Sequence, residues 1–580
     1  MEIYSQNYKY GKSKNQSIFL DEQPVQSSNE IRITKSEYNE SDINAAINPK
    51  NKKNIIVLPM QHRWDNVKTY YAIPPYYSHD FGETWKRANF ELLPKRDYVI
   101  IKKGSNPEVI FDKNGRAYVS WIVNYSTSDG FDNDSVFSSV IWGYSDDGGI
   151  NWATEEDNQI ITLKNFNENG TLVEEIKNLK LISNPKSKKH DVEMYALIEV
   201  KNTLENKNTF KLYFYDEYHK EFVLRNNDIR HISDSIQIGY PDIDISLDGE
   251  LGIVYYSKFV ANQRSKYNIK YRQSRSGGFN FDEPKIISEF FFKGSIDIAS
   301  QFDIIPGTSY LENFNPTIEI KIDKSNTVNY NNYYCQWVGT GLENVGTELD
   351  VYFARSLDEG DSWGEVVKVN SNTFGEQFLS DLNLNDNGVL VSKWYDTHNY
   401  EDRESADIYM GYSFDGGVNF GESFKVSSSS SSLSVISEQN RYYGLGKKMS
   451  ILATDEYSIP VWADARKNDG RTDAFIGFFP LEEQAAKYFA PDDSLIYVEE
   501  IKPIPASEHL DISFLVKERR YLSLLLYDSR GRVIYKFYEG NLKAGRYEER
   551  LSLKLFASGF YYLVFKSDVY SHSKPIIIRK

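Results

Sequence analysis

Short apolar runs of period two recur along most of the chain, each bounded by clusters of Asp, Asn, Gly and Ser, and this pattern predicts β-strands almost throughout. In Asp350-Val-Tyr-Phe-Ala-Arg355 and Val366-Val-Lys-Val369 two such runs flank the turn Ser356-Leu-Asp358-Glu-Gly360-Asp-Ser-Trp363. The same punctuation, Ser-x-Asp-x-Gly-x-x-aromatic, stands at Ser78, Asp80, Gly82, Trp85; at Ser145, Asp147, Gly149, Trp152; and at Ser413, Asp415, Gly417, Phe420. A worn copy reads Ser274, Ser276, Gly278, Phe281. Ser and Asp oxygens can accept from the turn's own N–H groups, Gly supplies a positive φ, and the aromatic ring can lie into the sheet packing. Repetition turns a weak local signal into a repeat architecture.

The repeating unit is larger than the turn. Ahead of each box stands an aromatic strand end, a polar loop and an acidic residue opening the next strand: Trp337 then Asp350-Val-Tyr, Trp394-Tyr-Asp396 then Asp407-Ile-Tyr, Trp462-Ala-Asp464 then Asp473-Ala-Phe. Further upstream lies a first hairpin, as in Pro107-Glu-Val-Ile-Phe-Asp112-Lys-Asn-Gly115 and Asp381-Leu-Asn-Leu-Asn-Asp386-Asn-Gly388. Strand, tight turn, strand, polar loop, strand, box, strand is one four-stranded antiparallel sheet, and units of roughly fifty to seventy residues predict an all-β propeller. Units begin near Ser41, Gly104, Asn178, Gln237, Asn313, Glu376 and Gly444, which predicts seven blades, six being the alternative if the boxless unit near Asn178 is an insertion. The last unit shows three strands, and Ile31-Arg-Ile-Thr34 is placed to supply the fourth and close the ring, removing exposed sheet edges.

Composition narrows the class. The chain has 580 residues, room for a second domain, and no apolar run near the ~18 residues of a membrane span. A formal charge of −16 opposes general nucleic-acid binding, which needs a basic surface. From Glu499 onward, 15 Lys and Arg face 10 Asp and Glu, so the last eighty-odd residues are basic while the rest is strongly acidic. Leu481–Phe489 reads as a short helical connector. The expected organisation is therefore a polar segment 1–29, a propeller 30–480, a linker 481–495 and a small β-sandwich 496–580 with strands near Leu510–Leu515, Leu522–Tyr527, Val533–Tyr538, Tyr547–Leu553 and Phe560–Phe565.

The boxes, with the Trp-x-Asp and Asp-Ile-Tyr elements, resemble the Asp-box repeats of sialidase-like propellers. The C-terminal part resembles the type IX secretion system sorting domain of Bacteroidetes-type bacteria, through Lys502-Pro-Ile-Pro505, Leu524-Leu-Leu-Tyr527-Asp528-Ser-Arg-Gly531-Arg-Val533, Leu542-Lys-Ala-Gly545, Leu555-Phe-Ala-Ser558-Gly559-Phe-Tyr561-Tyr-Leu563 and the basic end Lys574–Lys580. That resemblance implies contact with secretion machinery and export to the cell surface or medium. Met1-Glu-Ile-Tyr-Ser lacks the apolar core of a secretory signal, so the expected natural start lies upstream.

The sialidase resemblance implies three arginines on a sugar carboxylate, a Tyr/Glu nucleophile pair and an Asp acid/base. Ile31-Arg32-Ile-Thr34 lacks the aromatic and the proline of the family's arginine motif, and Arg63, Arg230, Arg264, Arg272, Arg355, Arg441 and Arg466 lack its flanks. Geometry still locates a ligand: loops joining the second and third strands share one face, opposite the boxes, and form a rim on a rigid scaffold. Candidate ligand-binding residues there are Arg63, Trp64, Asp396, Asp464 and Arg466, with Asp65 the candidate catalytic acid; a closed ring would bring the first and last clusters together. The ligand expected is a glycan or a polypeptide, for a recognition protein or, alternatively, an exo-acting glycoside hydrolase of sialidase type. Asp242, Asp244, Ser246 and Asp248 alternate like a calcium loop without its Gly spacing, and the eight histidines lack zinc spacing, so neither metal nor cofactor is expected. Cys335 reads as a buried small hydrophobe, and the six serines Ser427–Ser432 as a flexible inter-blade loop.

Overall fold

The computed structural model describes residues 30–580 apart from 65–67, 97–98, 128–134, 165–172, 188–191, 232–236, 262–263, 293–316, 326, 328, 343–347, 373, 437–443, 489–494 and 567–570. The segment 1–29 lies outside the described residues.

Seven antiparallel sheets, numbered here I to VII, follow one another along the described chain. Their first strands are Asn39–Ile47, Val99–Phe111, Glu174–Ser183, Gln237–Ile245, Ile318–Ile322, Gln377–Leu384 and Ser450–Ala453. Each lies beside the first strand of the next sheet, and that of sheet VII lies beside that of sheet I, so the array is a closed propeller around a channel lined by first strands. Sheet III carries no box yet has four strands in regular order. Sheet VII is completed by Glu30–Arg32, which pairs with Asp473–Gly477 in the register Ile31 opposite Ile476 and Arg32 opposite Phe475. The expected closing strand is in place.

Inner edges are the cost of this design, because a first strand has one side with no strand to pair with. A repeated bulge answers it. Asp42, Asn106, Tyr240, Leu379 and Gly446 all adopt positive φ, between 46° and 91°, and in sheets I, II, IV and VI the strand register shifts at that point. Two residues on come Asn44, Glu108, Asp242, Asp381 and Lys448, all lining the channel. Their side chains reach across the seams. Asn44 accepts from Val109 N at 3.0 Å, Asp242 from Ile320 N at 2.9 Å and Asp244 from Ile322 N at 2.7 Å. Glu319 accepts from Leu382 N, Asp381 from Ile451 N, and Ser450 Oγ from Ala45 N at 3.0 Å. Asn106 donates to Asn178 at 2.6 Å, and Lys180 pairs with Asp242 at 3.1 Å. The alternating Asp242 and Asp244 thus cap a neighbouring strand.

The boxes hold the outside of the same seams. In each copy the serine hydroxyl accepts the glycine N–H, at 2.8 Å for Gly82, Gly360 and Gly417 and 2.9 Å for Gly149 and Gly278. Asp80, Asp147, Asp358 and Asp415 accept a second turn N–H four residues on, and in the worn copy the Ser276 hydroxyl takes that role toward Asn280 N. Every box glycine abuts the preceding sheet: a Cβ would fall 2.2 Å from Phe478 at Gly82, 2.4 Å from Leu212 at Gly278, 2.4 Å from Tyr271 at Gly360 and 2.5 Å from Phe353 at Gly417. Glycine is required there for space as well as for φ.

The serine run departs from expectation. Ser427 Oγ accepts from Ile408 N, Ser431 Oγ from Ala465 N, and Ser431–Ser432 pair with Ser405–Ala406. Serine is small enough to enter the seam between sheets VI and VII and polar enough to cap backbone there, so the run is an ordered seam filler. Cys335 is fully buried on the strand Tyr333–Gly339.

After the helix Leu481–Tyr488, two further sheets form a sandwich: Ile496–Lys502, His509–Val516 and Gly545–Ser552 against Arg520–Asp528, Val533–Leu542, Gly559–Lys566 and Ser571–Ile578. Leu522, Leu524, Leu526, Leu563 and Phe565 face the sandwich interior. Leu525, Tyr527, Tyr562 and Val564, alternate residues of the same strands, join the propeller's core. Lys566 donates to the Asp415 carbonyl, Arg530 pairs with Glu456 at 2.9 Å, and Gly531 lies against Phe414. The sandwich is docked on the box side of sheets VI and VII. Among the described residues no helix is long and apolar enough to cross a membrane.

Two expectations follow. Ser356→Ala removes the hydroxyl shared by Gly360 N and Asp358 and is expected to lower stability by ~1–3 kcal/mol in chemical denaturation. At the closing seam, Glu40 is buried beneath Ser36 and Gln61, which donate to it at 2.8 and 2.7 Å. Burial pushes its carboxyl up to about 8, with repulsion from Asp473 adding. The folded state therefore binds the extra proton, and its stability is full below the ordinary carboxylate range and is lost as pH rises through about 8. Glu40→Gln should flatten this loss, which is on the order of a few kcal/mol, when melting is followed from pH 5 to 8.5; an unchanged pH slope would refute the assignment.

Candidate functional site

Two of the expected site residues are engaged by their own motif. The carboxylate of Asp396 accepts from the Trp394 indole at 3.2 Å, Gln377 at 3.0 Å, Asn372 at 3.2 Å, and His398 through its backbone N at 2.9 Å and Nδ1 at 2.8 Å. Asp464 accepts from the Trp462 indole at 2.8 Å and from Arg466 N and Nη2 at 2.8 and 2.7 Å. Both carboxylates are buried. The Trp-x-Asp pair is a latch that fixes the second strand's end to the loop. Where the third residue is Val123 or Gly339, the indole N–H of Trp121 or Trp337 has no hydrogen-bond partner among the described residues.

Arg466 stacks 4.1 Å from the Phe475 ring and pairs with Glu30 as well as Asp464. Ser428 of sheet VI also meets Glu30 and Arg466, so this cluster ties the closing strand to the neighbouring sheet. Arg63 is half-exposed, pairs with Glu37 at 3.5 Å and lies 5.7 Å from the Tyr38 ring. Trp64 ends its strand opposite Thr69, and Asp65 lies outside the described residues. Glu37 also acts electrostatically on Arg471. The first and last loop clusters therefore share one acidic residue, although Arg63 and Arg466 answer to different carboxylates. Arg403 is held by Glu348 and Glu376 at 2.7 and 2.8 Å. Arg264 and Arg441 offer no described side chain, and Arg230 and Arg272 bond Asp228 and backbone carbonyls respectively.

The channel itself holds the charge that sequence patterning missed. A cavity of about 320 Å³ on the box side is lined by Asn44, Asp244, Lys321, Lys324 and Asn383, and one of about 60 Å³ on the loop side by Asn106, Asn178, Tyr240, Thr317 and Lys447. Lys180 and Lys448 line both. Between them runs a belt of paired groups: Lys180 on Asp242, Lys448 on Glu108, and Glu319 beside Asp381. Burial, and then the Asp381 charge, hold the Glu319 carboxyl well above the usual range. Lys393, buried on the second strand of sheet VI, is lowered to about 8 by the same desolvation. Such a belt can hold protons and orient a ligand group reaching in from the loop side. A signal was present in the sequence: Asn44, Asp242, Asp244, Glu319 and Asp381 alternate with apolar neighbours on the first strands, a pattern that by itself reads as a solvated face.

Residues 500–579 match the family described as secretion system C-terminal sorting domain, and residues 76–87 match the BNR/Asp-box repeat. The chain therefore carries an Asp-box propeller followed by a sorting domain that indicates export to the cell surface or medium. A search among curated proteins gives no match. Similar solved structures include the GH93 α-L-arabinofuranosidase of Fusarium graminearum with arabinobiose, at 11% identity over 78% of this chain and 97% of that one, TM-score 0.40. The Penicillium chrysogenum α-L-arabinanase complexed with arabinobiose aligns at 12% identity over 64% and 94%, TM-score 0.37. A protein of unknown function from Dyadobacter fermentans aligns at 10% identity over 64% and 94%, TM-score 0.37. Likeness at this level carries no inference to the chemistry of this chain.

Asp464→Ala strips the acceptor from the Trp462 indole and leaves Glu30 as the one carboxylate paired with Arg466 among the described residues. Breaking a buried pair from one side is expected to cost ~3 kcal/mol, read in chemical denaturation, with Asp464→Asn losing less because an oxygen remains for the indole. Unchanged stability in Asp464→Ala would release the residue from this latching role.

Proposed function

We propose that the protein is an exported recognition protein whose propeller binds a glycan or a protein ligand on its loop face. The observation that carries this reading is the state of the rim arginines. Arg63, Arg403, Arg466 and Arg471 each face a carboxylate of the chain, so none of these four guanidinium groups can clamp a sugar carboxylate without leaving its own partner. A rigid ring with a polar rim and a narrow charged channel favours selection of a ligand group over turnover of a substrate.

One feature favours the second reading, an exo-acting glycoside hydrolase on terminal acidic sugars. Glu40, kept protonated up to about 8, shares Gln61 with the Tyr76 hydroxyl, at 2.7 and 3.3 Å, which is a carboxylic acid close to a phenol. Its side chain is fully buried.

A panel of fluorogenic glycosides, sialosides and uronides included, separates the two when run beside a glycan array. Retention of glycans on the array without hydrolysis is the expected result. Hydrolysis lost in Asp65→Ala or Glu40→Gln, with melting temperatures preserved, would replace recognition by catalysis.

A further inference from the structure

The seam that closes the ring is covered by less chain than the others. At each seam the chain passes from the outer strand of one sheet to the first strand of the next, and here that link is residues 33–38, the shortest of the seven; the next seam has 88–98. The third strand of sheet I is also broken, into Thr69–Ala72 and Tyr76–Ser78, because Pro74 and Pro75 bring no N–H to the ladder. The result is a pocket of about 510 Å³ between the outer strands of sheets VII and I, within the ~300–1,000 Å³ of small-ligand sites. Ile31, Arg32 and Ile33 form one wall, and Tyr76, Trp85 and Arg87 the other. Register fixes which side chains turn inward. Tyr76 stands opposite Arg87 and belongs to the core shared with sheet VII, whereas Tyr77 packs toward sheet II.

Two kinds of surface meet in this pocket. Tyr38 and Trp85 present part-exposed rings, and the Trp85 indole donates to Gly82 O at 3.0 Å, which fixes its orientation. The face of an aromatic ring is electrostatically negative and takes the C–H face of a sugar ring. The polar groups are only partly spent. Gln61 Nε2 donates to the Tyr76 hydroxyl at 3.3 Å, and among the described residues nothing accepts that hydroxyl's own proton. Lys35, Glu83 and Arg87 line the pocket, are exposed, and form no ion pair among the described residues.

Net charge does not select the ligand. Arg32 is answered by Asp473 at 2.7 Å, Glu37 turns to Arg63, and the Glu40 carboxyl behind Gln61 is pushed up to about 8. What remains is two cations and one carboxylate, donors and an acceptor together, which suits vicinal hydroxyls that both give and take hydrogen bonds. An extended peptide is less well served, because the closing strand Glu30–Arg32 offers only three residues of edge.

We propose that the closing seam holds a second binding site, on the outer wall of the propeller and apart from the loop face, for a neutral saccharide of one or two rings stacked on Trp85 and Tyr38 and hydrogen-bonded by Arg87, Glu83 and Tyr76. The inference goes beyond the recognition reading and does not need a ligand on the rim.

The test titrates the full chain with cellobiose, lactose, maltose and xylobiose, beside glucuronic acid and a neutral hexapeptide, followed by ligand-observed NMR. At least one disaccharide is expected to bind, with affinity lowered ~10-fold in Arg87→Met, the size of one charge-assisted hydrogen bond. It should be unchanged in Phe374→Ala, which alters an exposed ring beside Arg403. Trp85→Leu should weaken binding in the same direction; its ring also packs on the core, so Arg87→Met, at an exposed position, decides the matter if Trp85→Leu melts early. No binding by any of the four disaccharides, or affinities untouched in both seam variants, would overturn the site. Binding lost in Phe374→Ala and kept in Arg87→Met would overturn it too, while leaving the recognition reading standing. Preference for glucuronic acid or the hexapeptide over every neutral sugar would overturn the saccharide assigned. Disaccharide binding abolished by Trp85→Leu, with nothing left for the rim, would support the seam site and tell against the loop-face reading.

Discussion

A sheet whose first strand lines a channel leaves one row of backbone groups facing inward with no strand beside it, and the whole ring depends on how those groups are met. Here each seam carries a side-chain link between first strands: Asn44 to Val109, Asn106 to Asn178, Lys180 to Asp242, Asp242 and Asp244 to sheet V, Glu319 to Leu382, Asp381 to Ile451, and Ser450 back to Ala45. Carboxylates suit this task because one group can accept a neighbour's N–H and still meet a lysine. Asp242 does both. The polarity of the channel is therefore a structural requirement first, and any ligand chemistry there is built from what the requirement leaves over.

The boxes perform the corresponding work on the outside. Their glycines let a tight turn lie flat on an aromatic or aliphatic side chain of the preceding sheet, and their Ser and Asp oxygens satisfy the turn that makes this approach possible. Inner caps and outer turns thus hold every box-bearing seam at two radii. Sheet III, without a box, replaces its turn with the exposed hairpin Asp216–Glu221 and relies on the apolar packing of Tyr213 and Tyr215 against sheet II.

The architecture was legible because it is periodic. Four turns of one composition with a worn fifth, Trp-x-Asp at two strand ends and a spare strand at Ile31 state the unit and its closure in residues that local geometry demands. The site was less legible for the opposite reason. Asp396, Asp464 and Arg466 are conspicuous in sequence because they are charged and recur beside tryptophan, and the structure shows that recurrence to be a latch. The channel residues are dispersed, one or two per unit, and become a group only when seven strands converge. Asp242 and Asp244 were visible as an alternation, but period two says which residues share a face and nothing of what that face meets. The serine run misled in another way: low complexity suggests flexibility, whereas Ser427 and Ser431 proved to cap backbone in a narrow polar seam.

The sandwich at the C-terminus has a middle sheet greasy on both sides, Leu524 and Leu526 turned to its own interior and Leu525 and Tyr527 to the ring. Such an address label is glued to the parcel. Peeling it away would wet a hydrophobic footprint on both pieces, so a courier that recognises the label in place has only its dry-land borders to hold, among them the outlying strand Val533–Leu542 with Tyr535 and Tyr538 open to solvent.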